Sequence, residues 1–401
     1  PEQLFGFLEE LRELVDAAHS RGIRVIADLV ANHVHSESPV FAEHGNEGWF
    51  HEYSSCAPAW DQPIECWFTS YMPDIDHRQD EALTMVVDSA IYWAKEARLD
   101  GFRVDAVKHM IHNVPMMLRH ELDRRISSHQ HEFYLVGETF TGEWGGGSGS
   151  AENTILEYVN EHELHGQFDF PFYWALLKVL GRDESGFDEL ASFLDQSSGF
   201  YPEDSLMVNF MGNHDVPRFI SHANNDIADL WGNGSKEQGW NTPPGLPGQS
   251  APFQRARLAF GLLMTLPQIP LLYYGDEIGL PGAGDPDNRR MMSFDGLSQE
   301  QSDLLASVGK LGNIRLNHRA LSRGSMQILE ATSDTLVFKR ESDSEALVVA
   351  LNKSGQTKSV VISNAGDNPT ELISNVMLES EDSTLNLSLP PLSLKIVQIT
   401  D

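Results

Sequence analysis

The chain has 401 residues, of which 41 % are hydrophobic, enough for one large α/β domain and a smaller second one. Its 59 acidic residues outnumber its 28 Lys and Arg residues, which gives a formal charge of −31 at pH 7. Contacts with phosphate groups need a surplus of Lys and Arg, so this balance argues against a nucleic-acid partner. The sequence contains no run of 18 apolar residues, and a membrane-spanning helix is not expected either.

The first predicted elements are a helix and a strand. Apolar residues from Leu8 to Ala18 recur at helical spacing, so residues 1–21 are predicted to form an amphipathic helix. The nearly continuous apolar run 23–31 is typical of a parallel strand that is buried on both faces. Periodicity is then lost over 34–80, and a segment of this length inside a compact domain is usually functional. We interpret it as a loop inserted between a strand and the next helix.

The chain contains two cysteines, Cys56 and Cys66, and both lie in this inserted segment. A disulfide between them and a pair of free thiols are both compatible with the sequence. A disulfide would suit an exported protein, and we expect a secreted or periplasmic location, with the cytoplasm as the alternative. Two cysteines without a neighbouring histidine pattern do not make a zinc site.

Helical and strand patterns alternate along the chain after this insertion. The predicted elements are, in chain order, helix 83–94, strand 101–104, helix 115–127, strand 133–137, strand 166–170, helix 173–180, strand 206–211, helix 256–266, strand 269–274 and helix 298–318. Strands that alternate with helices imply a parallel sheet. We therefore predict an α/β domain of the (β/α) type over residues 1–324.

The pattern changes after about Ser325, where helical spacing is absent. Short apolar runs separated by turn residues predict strands at 335–339, 346–351, 359–362 and 394–399. We interpret residues 325–401 as a separate C-terminal antiparallel β-sandwich domain.

Polar side chains lie at or just after the ends of several predicted parallel strands. They are Asn32, His33, Arg103, Asp105, Glu138, His214 and Asp215. In a (β/α) barrel the carboxyl ends of the strands carry the catalytic groups, so we expect these side chains to meet in one cavity. Neighbouring carboxylates repel, which raises the pKa of at least one of them, as a general acid near neutral pH requires. The alternative is a buried ion-pair network around Arg103.

Five short segments resemble the sequence motifs of the α-amylase family, glycoside hydrolase family 13. In chain order they are ADLVANH (27–33), MPDID (72–76), GFRVDAVKH (101–109), LVGETF (135–140) and FMGNHD (210–215). Their order matches the family, and the resemblance covers essentially the whole chain. It implies a (β/α)8-type TIM barrel in which the segment 34–80 is a short inserted domain.

The resemblance also implies roles for individual residues. Asp105 would be the nucleophile, Glu138 the general acid and base, and Asp215 the carboxylate that binds sugar hydroxyls beside them. The substrate-binding residues would be His33, Arg103, Lys108, His109 and His214, with Arg103 also positioning Asp105. Asp28 is interpreted as structural, and for Lys108 the alternative is an ordinary solvated lysine. The run DPDNRRMM (285–292) resembles a family loop near the mouth of the site, without an assigned role.

Three positions match residues that bind calcium in many members of the family. They are Asn32, Asp74 and His109, the last through its backbone carbonyl. Oxygen ligands from a loop and two strand ends suit calcium, which would fix the inserted segment to the barrel. The alternative is that Asn32 and Asp74 only form hydrogen bonds within the loop.

Six strands of the barrel type are predicted instead of eight. We therefore expect a barrel truncated to about six strands, without the family's first two strands and the tyrosine that the second one carries. Proteolysis, a natural truncation, or a homodimer in which a second copy covers the open barrel edge would each account for this.

The activity that the resemblance implies is retaining hydrolysis of α-1,4-glucosidic bonds in starch-type glucans or maltooligosaccharides, with endo action. The alternatives are an α-glucosyl transferase of the same family that acts on sucrose or maltose, and a non-catalytic carbohydrate-binding relative. The Lys108–His109 pair favours the hydrolase, because it resembles the pair in α-1,4-glucan enzymes. The presence of all three carboxylates argues against the non-catalytic alternative.

Overall fold

The computed structural model describes residues 6–56, 63–128, 131–147 and 149–399. They form two compact units. The first contains the chain up to Phe168 together with Tyr201–Met207, and the second contains Asp169–Phe200 and the chain from Val208 onward. No helix in the described ranges is long and apolar enough to cross a membrane.

Several described helices are short. In chain order the helices are α1 (Leu8–His19), α2 (Pro39–His44), α3 (Asp80–Glu96), α4 (Asn113–Arg125), α5 (Ala151–Leu156), α6 (Phe170–Leu176), α7 (Phe187–Ser197), α8 (Phe219–Ala223), α9 (Ser235–Asn241), α10 (Ser250–Thr265), α11 (Gln299–Asn317) and α12 (Arg319–Arg323). The sequence does not predict α2, α5, α7, α8, α9 or α12. All of these except α7 have seven residues or fewer, too few for helical periodicity to be recognised.

The strands fall into a parallel and an antiparallel group. The parallel strands are β1 (Ile26–Leu29), β2 (Gly101–Val104), β3 (Tyr134–Gly137), β4 (Gly166–Gln167), β5 (Val208–Phe210) and β6 (Ile269–Leu271). The antiparallel strands are β7 (Ser325–Ala331), β8 (Thr335–Ser342), β9 (Glu345–Asn352), β10 (Lys358–Ile362), β11 (Thr370–Glu371), β12 (Val376–Met377), β13 (Leu385–Leu389) and β14 (Ser393–Ile399).

The parallel strands alternate with helices in both units. In the first unit β1, β2, β3 and β4 form one sheet in chain order, with α3 and α4 in the connections. Helix α3 buries one face, from Ala82 to Ala94, in the same apolar cluster as Phe102 and Val104 of β2. In the second unit β5 and β6 form a parallel pair connected through α10. The predicted (β/α) organisation is confirmed.

Strand β1 corrects one expectation about burial. Ile26 is 43 % exposed and Val30, just after the strand, is 49 % exposed, so the run 23–31 is not buried on both faces. β1 lies at one end of the four-stranded sheet. Because successive side chains of a strand point to opposite faces, its exposure alternates along the strand. The apolar run is therefore an edge strand.

The inserted segment is attached to the chain that follows β1 by backbone hydrogen bonds. Val34 N donates to Pro73 O at 3.1 Å, and Ile75 N donates to Asn32 O at 3.0 Å. These bonds hold the far end of the segment beside the carboxyl end of β1, where the sequence places Asn32 and His33.

Cys56 and Cys66 form a disulfide within this segment, with 4.9 Å between their Cα atoms. Of the two alternatives that the sequence leaves open, the structure contains the disulfide and not the free thiols. Cys56 N also donates to Trp67 O at 3.1 Å, so backbone pairing reinforces the cross-link.

Replacing Cys56 and Cys66 together by serine is expected to lower the free energy of unfolding. The cross-link joins residues ten apart in sequence. Closing a loop of that length in the unfolded chain removes entropy worth roughly 2–3 kcal/mol. Thermal unfolding of the double variant measures the loss, and the unsubstituted chain in a reducing agent should reach the same Tm. An unchanged Tm in the double variant would show that the disulfide does not stabilise the fold.

The C-terminal part of the second unit is antiparallel. A six-stranded sheet has the order β12-β11-β14-β9-β8-β7, and β10 pairs with β13 in a second sheet. Apolar residues of both sheets share one buried cluster, for example Val348 and Val397 from the larger sheet and Val360 and Leu387 from the smaller one. The predicted antiparallel domain is confirmed. Strands β7, β11, β12 and β13 are additions to the four that the sequence predicts.

Candidate active site

Asp105 and Glu138 leave neighbouring strands at the same end of the sheet. Val104 pairs with Gly137 in the parallel register of β2 and β3, and the two acids are the next residues of those strands. Asp105 N donates to Leu29 O at 3.0 Å, and Glu138 N donates to Val104 O at 2.8 Å. The backbone of each acid is thus part of the strand ladder, which gives both side chains a rigid base.

The chain turns sharply directly after Asp105. Ala106 has φ of 53°, in the left-handed region that a residue with a Cβ enters at a cost of about 1–2 kcal/mol. In this conformation Ala106 N donates to Glu138 Oε2 at 3.3 Å, and Val107 N donates to Glu138 O at 2.9 Å. The turn therefore connects the predicted nucleophile to the predicted general acid through two backbone donors.

A buried arginine lies between the carboxylates. Arg103 is 7 % exposed, and its Nη1 contacts Asp105 and both oxygens of Asp28, the latter at 2.9 and 3.1 Å. Its Nη2 lies 3.9 Å from Glu138 Oε2. Burial acts to lower the pKa of Arg103, but Asp105 and Asp28 outweigh this effect and raise it. Arg103 is thus a permanent cation beside the predicted nucleophile.

The ion pairs alone fit both the catalytic interpretation and a structural network. The side chains of Asp105 and Asp28 remain 22 % and 51 % exposed, so these carboxylates can still be reached by a ligand. The contact of Asp28 with Arg103 is not predicted from the sequence. The contact follows from the strand register, because Asp28 of β1 is the direct partner of Arg103 of β2.

Phe68 of the inserted segment packs against two predicted substrate-binding histidines. Its ring lies edge-on to His33, with centroids 5.2 Å apart, and edge-on to His109 at 4.5 Å. Burial lowers the pKa of His33, while Asp105 opposes this effect. Burial also lowers the pKa of His109 to about 4, and its Nδ1 lies 2.9 Å from Pro63 O. Since a carbonyl oxygen only accepts, Nδ1 of His109 carries a proton, and the lowered pKa favours the neutral imidazole.

Lys108 is fixed beside the strand that carries Glu138. Its Nζ donates to Phe140 O at 2.6 Å, and burial lowers its pKa. Lys108 is therefore not the fully solvated side chain of the alternative interpretation.

The predicted calcium ligands Asn32 and Asp74 contact each other, with Asn32 Nδ2 donating to Asp74 Oδ1 at 2.8 Å. His51, which the sequence analysis does not identify, lies with Nδ1 2.6 Å from Asp74 Oδ2. Burial raises the pKa of Asp74 to about 6. In the described ranges no three His, Cys, Asp or Glu side chains form a metal cluster. Asn32 Oδ1 is nevertheless buried without a hydrogen-bond partner there, so this oxygen is available to a hard cation.

His214 and Asp215 belong to the second unit and follow β5. Asp215 N donates to Asn213 Oδ1 at 2.8 Å. The Asp215 carboxylate lies 3.3 Å from His214 Nε2 and 3.4 Å from Arg289 Nη2. The structure thus places these two predicted residues in contact. Arg289, from the run 285–292, is a partner that the sequence analysis does not identify.

Two family models match the chain. Residues 2–307 match the catalytic domain of α-amylase, and residues 324–393 match the α-amylase C-terminal domain. A crystal structure of the α-amylase from Geobacillus thermoleovorans in complex with acarbose has a TM-score of 0.83 and 27 % identity, over 99 % of this chain and 82 % of that one. The predicted TIM-barrel class with its antiparallel C-terminal domain is confirmed. The truncated barrel and the homodimer stay predictions.

Two sequence relatives are a cyclomaltodextrinase and a maltogenic α-amylase. The cyclomaltodextrinase of Geobacillus thermopakistaniensis is 25 % identical over 96 % of this chain and 61 % of its own length. The maltogenic α-amylase of Bacillus acidopullulyticus is 24 % identical over 87 % of this chain and 55 % of its own length. The chain therefore spans less than two thirds of the length of these relatives.

Proposed function

Because the chain belongs to the α-amylase family, glycoside hydrolase family 13, we propose that it hydrolyses α-1,4-glucosidic bonds in starch-type glucans or maltooligosaccharides with retention of configuration. The observation that supports this most is the pair Asp105 and Glu138 on neighbouring strand ends, with the Arg103 guanidinium reaching both. A retaining glycosidase needs two carboxyl groups in different protonation states.

The proposed reaction has two steps. Asp105 attacks the anomeric carbon and forms a glycosyl ester, while Glu138 gives its proton to the departing glycosidic oxygen. Glu138, now a carboxylate, takes a proton from water, and the water oxygen displaces Asp105 from the anomeric carbon. Arg103 stabilises the Asp105 carboxylate before attack and again when it is released. The rigid strand ladder keeps both acids in place through both steps.

The remaining predicted residues are proposed to hold the sugar. Asp215 accepts hydrogen bonds from sugar hydroxyls, and His33 and His214 are further sugar-binding residues. Lys108 and His109 contact the sugar beyond the cleaved bond.

For the mode of cleavage we propose endo action on starch. A second candidate is release of maltose or opening of cyclic maltodextrins. The second is favoured by the relatives, which include cyclomaltodextrinases and maltogenic amylases. Incubation with soluble starch distinguishes them. Endo action removes iodine staining early, whereas maltose release leaves staining high while reducing sugar accumulates. Absence of reducing sugar from starch, maltooligosaccharides and cyclodextrins alike would refute the proposed function.

We propose calcium as a structural ion held by Asn32, Asp74 and the backbone carbonyl of His109. Bound there it would neutralise the buried Asp74 carboxylate and join the inserted segment to the strand ends. The unpartnered Asn32 Oδ1 supports this assignment.

Chelation is therefore expected to lower the Tm by a few degrees, since an ion that binds only the folded state stabilises it. Differential scanning calorimetry with and without EDTA measures the shift, and added calcium, but not magnesium, should restore the Tm. A Tm that EDTA leaves unchanged would contradict the proposed calcium site.

An exported location is proposed on the basis of the Cys56–Cys66 disulfide, because disulfides persist in oxidising compartments.

A further inference from the structure

The loop 285–292 places a fully buried amide against the segment that carries Asp215. Asn288 is 0 % exposed, and its Nδ2 donates to His214 O at 2.8 Å and to Val216 O at 2.9 Å. The two acceptors are the carbonyls on either side of Asp215. One side chain therefore fixes the backbone before and after the predicted substrate-binding carboxylate.

Asn288 is itself held by a buried cation. Its backbone carbonyl accepts from Arg218 Nε at 2.7 Å, and Arg218 is 0 % exposed. Arg218 Nη1 donates to Asp276 Oδ1 at 2.9 Å and to Tyr274 O at 2.6 Å. Asp276 lies against Gly212, where an added Cβ would come within 2.8 Å of its Oδ2. The buried ion pair between Arg218 and Asp276 thus holds the backbone of Asn288. The side-chain Nδ2 of Asn288 then donates to the segment that carries Asp215.

The carboxylate of Asp215 depends on this backbone support. Its own contacts, to His214 at 3.3 Å and to Arg289 at 3.4 Å, are long for hydrogen bonds, and its side chain is 34 % exposed. Such contacts fix a rotamer weakly. The position of the carboxylate is therefore set mainly by the main chain on which it stands.

We propose that Asn288 is a positioning residue for Asp215, acting through the carbonyls of His214 and Val216. The inference rests on the proposed function, in which Asp215 binds sugar hydroxyls. In that role the Asp215 carboxylate must lie within a fraction of an ångström of the position from which it binds the sugar. A misplacement of about 1 Å costs roughly 10²-fold in rate. This gives the loop 285–292 a part in the site beyond its contact through Arg289.

The test is Asn288→Asp, which keeps the size of the side chain and replaces the Nδ2 donor by an oxygen that repels both carbonyls. The matched control is Asn352→Asp in β9. Asn352 is also 0 % exposed, and its Nδ2 donates to Gln356 O at 2.7 Å, Leu389 O at 3.0 Å and Pro390 O at 2.9 Å. The control makes the same chemical change in the antiparallel sheet.

Two readouts are taken on both variants: kcat and KM on a maltooligosaccharide, and hydrogen exchange of a peptide covering residues 211–218. Asn288→Asp is expected to lower kcat about 10²-fold with a smaller change in KM, because binding of the sugar is stronger in the transition state. It should also speed exchange in that peptide. Asn352→Asp should lower the Tm while leaving kcat and that exchange unchanged.

The outcomes separate this inference from the proposed function. An inactive unsubstituted chain would overturn the proposed function, and with it a catalytic purpose for Asn288, whatever the exchange result. An active chain whose kcat is the same in Asn288→Asp would overturn the positioning role alone. Equal losses of kcat in both variants would also overturn it, since the effect would then be general destabilisation.

Discussion

Asp105→Asn is expected to lower kcat on maltooligosaccharides by about 10⁴-fold or more, the scale of loss when one member of a catalytic set is removed. An amide oxygen is a poor nucleophile and cannot form the glycosyl ester. The fold should persist, since the amide has nearly the same shape and its oxygen can still accept from Arg103 Nη1. Steady-state kinetics measures the loss, and an unchanged Tm shows that the variant is folded.

Asp28→Asn is the matched control for this experiment. It removes the other carboxylate that contacts Arg103 Nη1, from the partner position on β1. Loss of that charge should disturb Arg103 and lower kcat by only about tenfold, as expected for a supporting contact. If Asp105→Asn and Asp28→Asn lost the same activity, the carboxylates would be equivalent members of an ion-pair network, and the nucleophile assignment would be wrong.

Glu138→Gln is expected to lower kcat on starch-type glucans by about 10²–10⁴-fold, because a sugar alkoxide leaves poorly without a proton. The loss in formation of the glycosyl-enzyme should be much smaller on an aryl maltooligoside with an acidic phenol, whose oxygen departs without protonation. Pre-steady-state release of the phenol measures this step.

The comparison of the two substrates is the internal control for Glu138. The general-acid role is contradicted if Glu138→Gln slows phenol release and glucan cleavage by the same factor. Such a result would leave Glu138 as a residue that orients Arg103 and the Ala106 amide, both of which contact its carboxylate.

The positions of Asp105 and Glu138 could be predicted because each directly follows a short apolar strand. In a parallel sheet the carboxyl ends of neighbouring strands meet at one edge, so the sequence order alone brings these two residues together. The positions of Asn32 and His33 after β1 could be predicted for the same reason. That β1 is an edge strand could not be predicted, since the run 23–31 carries apolar residues on both faces and their exposure depends on what packs beside the strand.

Side-chain partners from distant segments could not be predicted in the same way. The contacts of His51 with Asp74 and of Phe68 with His33 come from the inserted segment, which has no periodicity from which direction can be inferred. Asn288 lies in a 3₁₀ turn and reaches a segment more than seventy residues earlier in the chain. Such contacts depend on loop geometry that neither spacing nor composition specifies.

The domain boundaries 1–324 and 325–401 follow from a change of pattern, and they stay predictions. The C-terminal strands could be predicted where apolar runs were long, as in β8 and β9. The two-residue strands β11 and β12 leave no pattern in the sequence, since two residues cannot show alternation.

Asp105 is proposed to act as the nucleophile of a retaining α-glucan hydrolase. Proton NMR of the first product formed from a maltooligosaccharide, recorded before mutarotation, tests it most directly. The new reducing end is expected to appear as the α-anomer, because two successive displacements at the anomeric carbon restore its configuration. Initial formation of the β-anomer would mean that water attacks directly, and would contradict a covalent intermediate on Asp105.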